Sequence, residues 1–153
     1  VARKNYDDEL EKQKKALEKS HKKQMLEQSL GHKASVSTLK NEIDSLVLGT
    51  HMKGKVIKLI LETSQLTQQE IEKICVIALD FNPNFLKTSS GFSGGATLDA
   101  VQTMLSVVGE NINIKASGGI RDLATLMQFK ELGVKRIGTS AGVSIMEELS
   151  RLS

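Results

Sequence analysis

Two lysines with matching surroundings are the residues most able to do chemistry. Lys87 lies in Phe85-Leu86-Lys87-Thr88-Ser89-Ser90-Gly91, and Lys115 in Ile114-Lys115-Ala116-Ser117-Gly118-Gly119. Both follow an aliphatic residue and open a K-[TA]-S-[SG]-G segment. If each segment is a strand, alternation turns the lysine to the face opposite Leu86 or Ile114. A strand lysine among apolar neighbours is costly unless its amine reaches a polar cavity. Two such amines at matching depth on adjacent strands repel one another, and partial burial disfavours their charge further, so both effects lower a lysine pKa. The free amine that results attacks carbonyls and forms Schiff bases. The plain alternative is a pair of unrelated structural lysines.

A second chemistry is anion binding. Gly118-Gly119 stands just before Asp122, and Gly138-Thr139-Ser140-Ala141-Gly142 just before the last helical stretch. Glycine backbone lets N–H groups approach an anion without a Cβ in the way, and a following helix dipole favours negative charge. A Gly-Gly pair alone is ordinary turn chemistry; two such loops on consecutive units are more specific. Neither loop matches a Walker or dinucleotide fingerprint.

These residues need elements to position them. Lys55–Leu61 reads as a strand, rich in aliphatic and β-branched residues. Thr67 and Glu70 form a T-x-x-E capping box for a helix reaching about Leu79. Phe85–Ser89 is a second strand. Thr97–Val108 is a helix with Leu98, Val101, Leu105 and Val108 on one face. Asn113–Ala116 is a third strand. Asp122 caps a helix that stops at Gly133, a natural C′ glycine. Arg136–Gly138 is a fourth strand, and Val143–Leu152 a last helix. Four successive βα units imply a parallel sheet with right-handed crossovers. The fold class is therefore α/β, satisfied by a half (β/α)₈ barrel or by a doubly wound sheet. Glu62-Thr63 and the lysine and glycine segments all fall at the C-terminal ends of strands, where such folds bind ligands.

The first third of the chain has another texture. Residues 1–53 hold 11 of the 21 Lys/Arg but 8 of the 18 Asp/Glu, so the net charge of +3 resides there. Residues 7–30 read as a charged helix with Leu10, Leu17, Met25 and Leu26 at about heptad spacing and Leu30 extending the stripe. Two heptads are short for a coiled coil, and a solvated surface helix or a partner-binding helix both fit. Gly31–Ser37 reads as a break. Ser37 then caps a helix from Thr38 to about Leu48, with Leu39, Ile43, Leu46 and Val47 as its apolar face. Gly49-Thr50-His51-Met52 reads as a loop or as a join between unrelated segments. The organisation expected is a charged helical segment over 1–52, a helical hairpin or a fusion, followed by the βα domain over 53–153.

Composition excludes some classes. Apolar residues make up 39% and charged residues 25% of 153 residues, which fits a soluble globular chain. With no Trp and one Tyr, stacking platforms for nucleic acid are not expected. No apolar run is long enough to span a membrane, and the N-terminus lacks a signal-peptide core. The one cysteine, Cys75, sits in an apolar helical run with Ile74, Val76 and Ile77 and reads as a buried structural thiol. A cytoplasmic setting is consistent with it.

Four blocks make the reading specific. KVIKLILETSQLT, FLKTSSGFSGGAT, IKASGGIRDL and RIGTSAGV, in this order and spacing, resemble the last four strands of deoxyribose-phosphate aldolase over about residues 53–146. The resemblance implies half of a barrel and a class I aldolase, which reversibly cleaves 2-deoxyribose 5-phosphate to glyceraldehyde 3-phosphate and acetaldehyde. It implies a role in deoxyribonucleotide catabolism, with no cofactor and no metal. By resemblance Lys87 forms the Schiff base and Lys115 tunes it. Lys58 and Thr88 line the site, and Gly118, Gly119, Gly138 and Ser140 hold the phosphate. The implied ligand is a small phosphorylated sugar, with no nucleic acid or membrane. The family's proton-shuttling aspartate lies in an E-I-D strand motif. Glu42-Ile43-Asp44 has those letters, but the helical spacing around it makes Asp44 a poor match. A half barrel leaves two sheet edges open, so a homo-oligomer is expected. It also leaves a second reading open, a phosphate-binding or interaction module without turnover.

Overall fold

The computed structural model describes residues 35–152. The stripe expected over residues 7–30 lies outside the described residues. The described residues divide into two units between Glu42 and Ile43. The boundary falls inside the first described helix, α1 (Ser35–His51).

Helix α1 corrects two expectations. It starts ahead of Ser37, and it runs through Gly49 and Thr50 to His51, where a loop was expected. Thr50 is held in the helix by its hydroxyl, which donates to the Leu46 carbonyl at 2.6 Å. A glycine that penalises a helix mildly does not end it here; the turn comes at Gly54, with φ 64°. Ile43 and Val47 are buried, whereas Leu46, expected on the same face, is 56% exposed. Glu42-Ile43-Asp44 is helical, as its spacing implied.

The second unit carries the alternating pattern. Its elements are β1 (Lys58–Ile60), a 3₁₀ turn (Thr63–Gln65), α2 (Gln68–Phe81), β2 (Phe85–Lys87) and α3 (Leu98–Val108). After them come β3 (Asn113–Ser117), α4 (Leu123–Leu132), β4 (Arg136–Gly138) and α5 (Gly142–Leu152). In this unit the caps read at Thr67, Asp122 and Gly133 formed where the sequence placed them. Thr67 and Glu70 make the reciprocal capping box of α2. Asp122 accepts from the Thr125 N–H at 2.8 Å, and Gly133 ends α4 in the left-handed conformation. The N-cap of α3 is Thr97, whose side chain accepts from Ala100 N.

All strand pairs are parallel, and the spatial order β1-β2-β3-β4 follows the chain. A doubly wound sheet reverses its strand order at a switch point; this sheet has none. Helices α2, α3 and α4 also share one face. Leu86, Ile114 and Ala116 join Ile71, Cys75 and Ala78 of α2, Ala100, Val101, Met104 and Val108 of α3, and Phe129 of α4 in one core. Both observations select the barrel-type reading. Of the apolar face read for α3, Val101 and Val108 are wholly buried and Leu98 and Leu105 partly so, while Met104, outside that reading, is wholly buried with them.

β1 is shorter than the strand run read from Lys55 to Leu61, for a local reason. The Ile57 N–H donates to the Asn84 side chain at 2.9 Å instead of entering a ladder. At the other end, the Leu61 N–H donates to Lys87 O at 2.9 Å, and the Thr63 N–H donates to Thr88 O at 2.8 Å. Two residues on one strand thus advance one on the other, which is a β-bulge at Glu62.

Candidate functional site

Register puts the two lysines side by side. Lys87 pairs with Lys115 across β2 and β3, and Lys115 pairs with Arg136 across β3 and β4. Paired residues on adjacent parallel strands lie about 4.8 Å apart and share a face. Lys58, in register with Phe85, is one layer nearer the strand starts. The open face of the sheet therefore carries Lys58, Lys87, Lys115 and Arg136, while Leu86 and Ile114 are sealed beneath the helices on the other. The Phe85 ring lies between two of these cations, 4.7 Å from the Arg136 guanidinium and 5.9 Å from Lys58 Nζ. Such contacts offset part of the repulsion in a cationic layer.

Lys87 is half-buried. Burial and the neighbouring Lys115 cation hold its amine below the ordinary lysine range; the Glu62 carboxylate opposes them, and Lys58 adds a smaller push downward. A depressed lysine is the form that attacks carbonyls. Gly138 makes room for its partner: a Cβ there would stand 3.1 Å from Lys115 Cε and 3.0 Å from Ser117 Cβ. An alanine at 138 would thus push against the lysine arm itself.

The loops above the strands are tied together through backbone. The Ser117 hydroxyl donates to Ser89 O at 2.8 Å, and the Ser89 hydroxyl to Gly94 O at 2.7 Å. The Ala96 N–H reaches both Ser117 O and Gly118 O at 3.1 Å. Gly118, at φ 88°, lies against the Gly94-Gly95 backbone, where a Cβ would come within 2.8 Å of Gly95 Cα. This glycine is thus required by close packing as well as by any ligand. Thr139 links the two glycine loops: its hydroxyl donates to Ile120 O at 2.6 Å and accepts from the Ala141 N–H at 2.9 Å. Gly119 and Ser140 stand exposed on these loops.

Comparison with known proteins gives the family. No family model matches the chain. It is 47% identical over 112 residues to a deoxyribose-phosphate aldolase of Clostridium tetani, covering 72% of this chain and 51% of that protein. It is 54% identical over 97 residues to one of Coprothermobacter proteolyticus, covering 63% and 44%. Among solved structures, an aldolase designated QR15 superposes with a TM-score of 0.69 at 40% identity, over 75% of this chain and 52% of that one. Over this sheet, the chain is a relative of the deoxyribose-phosphate aldolases. The tetrameric deoxyribose-phosphate aldolase of Aeropyrum pernix also superposes, with a TM-score of 0.67 at 26% identity, over 74% of this chain and 50% of that one. The chain spans about half the length of the aldolases it matches.

Within this aldolase-related sheet the residues expected at a site do not all lie alike. Lys58, Lys87 and Lys115 share the open face, and Gly118, Gly119, Gly138 and Ser140 gather on or beside the joined glycine loops. Thr88, also expected to line the site, is wholly buried. Its hydroxyl donates to Ser117 O at 3.2 Å and accepts from the Ser117 N–H at 3.1 Å, so it ties β2 to β3. Two residues gained importance that the sequence reading did not give them. Glu62 is buried, left-handed at φ 56° and turned toward the lysine loop, and Thr139 joins the glycine loops. Their only sequence signal was position at a strand end. Among the described residues no His, Cys, Asp and Glu side chains gather as a metal-binding group, and no helix is long and apolar enough to cross a membrane. Cys75 is wholly buried in the core, and burial pushes its thiol up to about 12, well away from thiolate chemistry.

Proposed function

We propose that the chain contributes to a class I aldolase reaction, the reversible cleavage of 2-deoxyribose 5-phosphate into glyceraldehyde 3-phosphate and acetaldehyde. The observation that carries this reading is the Lys87–Lys115 register pair on the open face of an aldolase-related sheet. Lys87 attacks the carbonyl and forms the Schiff base, with loss of water. Lys115 keeps its amine available by repulsion, and Lys58 borders the same face. The phosphate lies against the backbone of Gly118, Gly119 and Gly138 and the Ser140 hydroxyl, ahead of α4 and α5, whose N-terminal ends favour an anion. Thr88 supports the strands beneath.

The reading extends to assembly and place. The sheet has open edges at β1 and β4, and a related aldolase is tetrameric; both favour a homo-oligomer that covers the open face. A cytoplasmic enzyme of deoxyribonucleotide catabolism fits this chemistry. The test is borohydride reduction in the presence of acetaldehyde, followed by peptide mapping. The expected result is an adduct at Lys87 that disappears in Lys87→Leu. A folded protein with no adduct at Lys87 would end the proposal. Sedimentation of the same sample reads the assembly; a stable monomer would remove the homo-oligomer from it.

A further inference from the structure

The strongest unassigned feature is the bulge after β1. Glu62 adopts φ 56° and ψ 56°, a left-handed conformation that non-glycine residues rarely hold and that persists where the surroundings over-determine it. What determines it here is visible. The Leu61 and Thr63 N–H groups on either side are fixed to the Lys87 and Thr88 carbonyls. The Glu62 carboxylate accepts from the Ser90 N–H with both oxygens, at 3.1 and 3.2 Å. The residue is 3% exposed. A buried carboxylate is costly unless compensated by hydrogen bonds and opposite charge. The charged groups that face Lys87 are Lys58 from β1, Lys115 from β3 and Glu62 from the bulge, with Arg136 of β4 in register beyond Lys115. Glu62 is the one carboxylate among them.

We propose that Glu62 is a positioning residue for Lys87: from the bulge its carboxylate fixes the start of the loop after β2 and supplies the negative charge beside the lysine amine. Bulges re-aim side chains next to active sites, and this one places an anion where the sheet otherwise presents only cations. The arrangement sets two opposed influences on one amine. Lys115 and burial favour the neutral form that attacks; Glu62 retains enough of the cation for the amine to be reprotonated.

The proposal rests on the aldolase reading of Lys87, but its test does not need turnover. Lysines are reductively methylated with isotope-labelled formaldehyde, the Lys87 signal is assigned from Lys87→Arg, and its titration is followed by NMR in the parent and in Glu62→Gln. The glutamine keeps an acceptor for the Ser90 N–H and removes the charge. Removing a charge that favours the protonated lysine moves the midpoint to lower pH. A midpoint unchanged in a folded Glu62→Gln protein overturns the proposal and leaves Glu62 a loop anchor only. Glu62→Asp, with the charge on a shorter arm, is expected between the two. Should the glutamine variant not fold, Glu62→Asn, which also lacks the charge and tolerates the left-handed backbone, decides instead: a lower midpoint than the parent's supports the proposal, and an equal one overturns it. If borohydride trapping fails at Lys87 while the titration still shifts, the aldolase reading falls and the electrostatic role of Glu62 stands.

Discussion

The two faces of the sheet are built from alternate residues of the same strands, yet they follow opposite rules. On the helix face Leu86 and Ile114 are wholly buried among aliphatic residues of α2, α3 and α4. One residue along each strand, Lys87 and Lys115 turn to the other face and meet cations. Period-two alternation thus divides one strand between stability and chemistry. The helix face can reach native packing density because nothing on it must react. The lysine face carries repulsion between its cations, and on the proposed reading a depressed amine is what that repulsion maintains. Proteins regularly hold such unfavourable arrangements at functional sites and compensate for them elsewhere.

The sharpest test of that division substitutes neighbours. Leu86→Ala removes a wholly buried side chain from the core and is expected to cost about 2–5 kcal/mol in denaturant unfolding. Lys87→Leu, one residue away, is expected to leave the unfolding midpoint unchanged or raise it. The sign follows from linkage. A lysine depressed in the folded state destabilises the fold wherever it is still protonated, and that penalty fades as pH rises through the folded-state value toward the unfolded one. Equal losses for both variants would break the comparison, since the lysine face would then be a second core.

The next effect is on reactivity. Lys115 is the largest charge lowering Lys87. Lys115→Met is therefore expected to move the pH midpoint of Lys87 reductive trapping upward, opposite to the shift expected of Glu62→Gln. A midpoint that stays in place would show that burial alone depresses the amine and that the register pair is incidental.

The helix face was the more legible of the two. Caps, the C′ glycine and the aliphatic strand runs are local signals, and Thr67, Asp122 and Gly133 took the roles read for them. The lysine pair was legible too, because a charge inside an apolar strand run contradicts its neighbours. What stayed hidden depends on contacts between distant segments. Nothing local to Thr88 distinguishes a site threonine from one bonded to Ser117. Glu62 became a bulge only because its neighbours pair with Lys87 and Thr88, across a helix of intervening chain. The stop of α1 was misread because Gly49 carries a helix penalty too small to end a helix whose Thr50 hydroxyl bonds back to Leu46.

The smallest effect is expected where the two faces meet, at the start of α4. Asp122 follows the Gly118-Gly119 turn of the open side and caps a helix of the core side. Its carboxylate accepts from the Thr125 N–H at 2.8 Å and the Thr125 hydroxyl at 3.0 Å. Those bonds, the backbone one first, hold it below the ordinary carboxylate range. A depressed carboxylate stabilises the fold above its unfolded-state pKa, about 4, and that stabilisation is lost as pH falls through the lower folded-state value. Asp122→Ala should therefore be slightly less stable than the parent at neutral pH, with the gap closing in acid. Paired thermal melts at neutral and low pH read the difference. A gap that persists in acid would mean the side chain acts by packing rather than by its charge, and the division between faces would then extend through the turn that joins them.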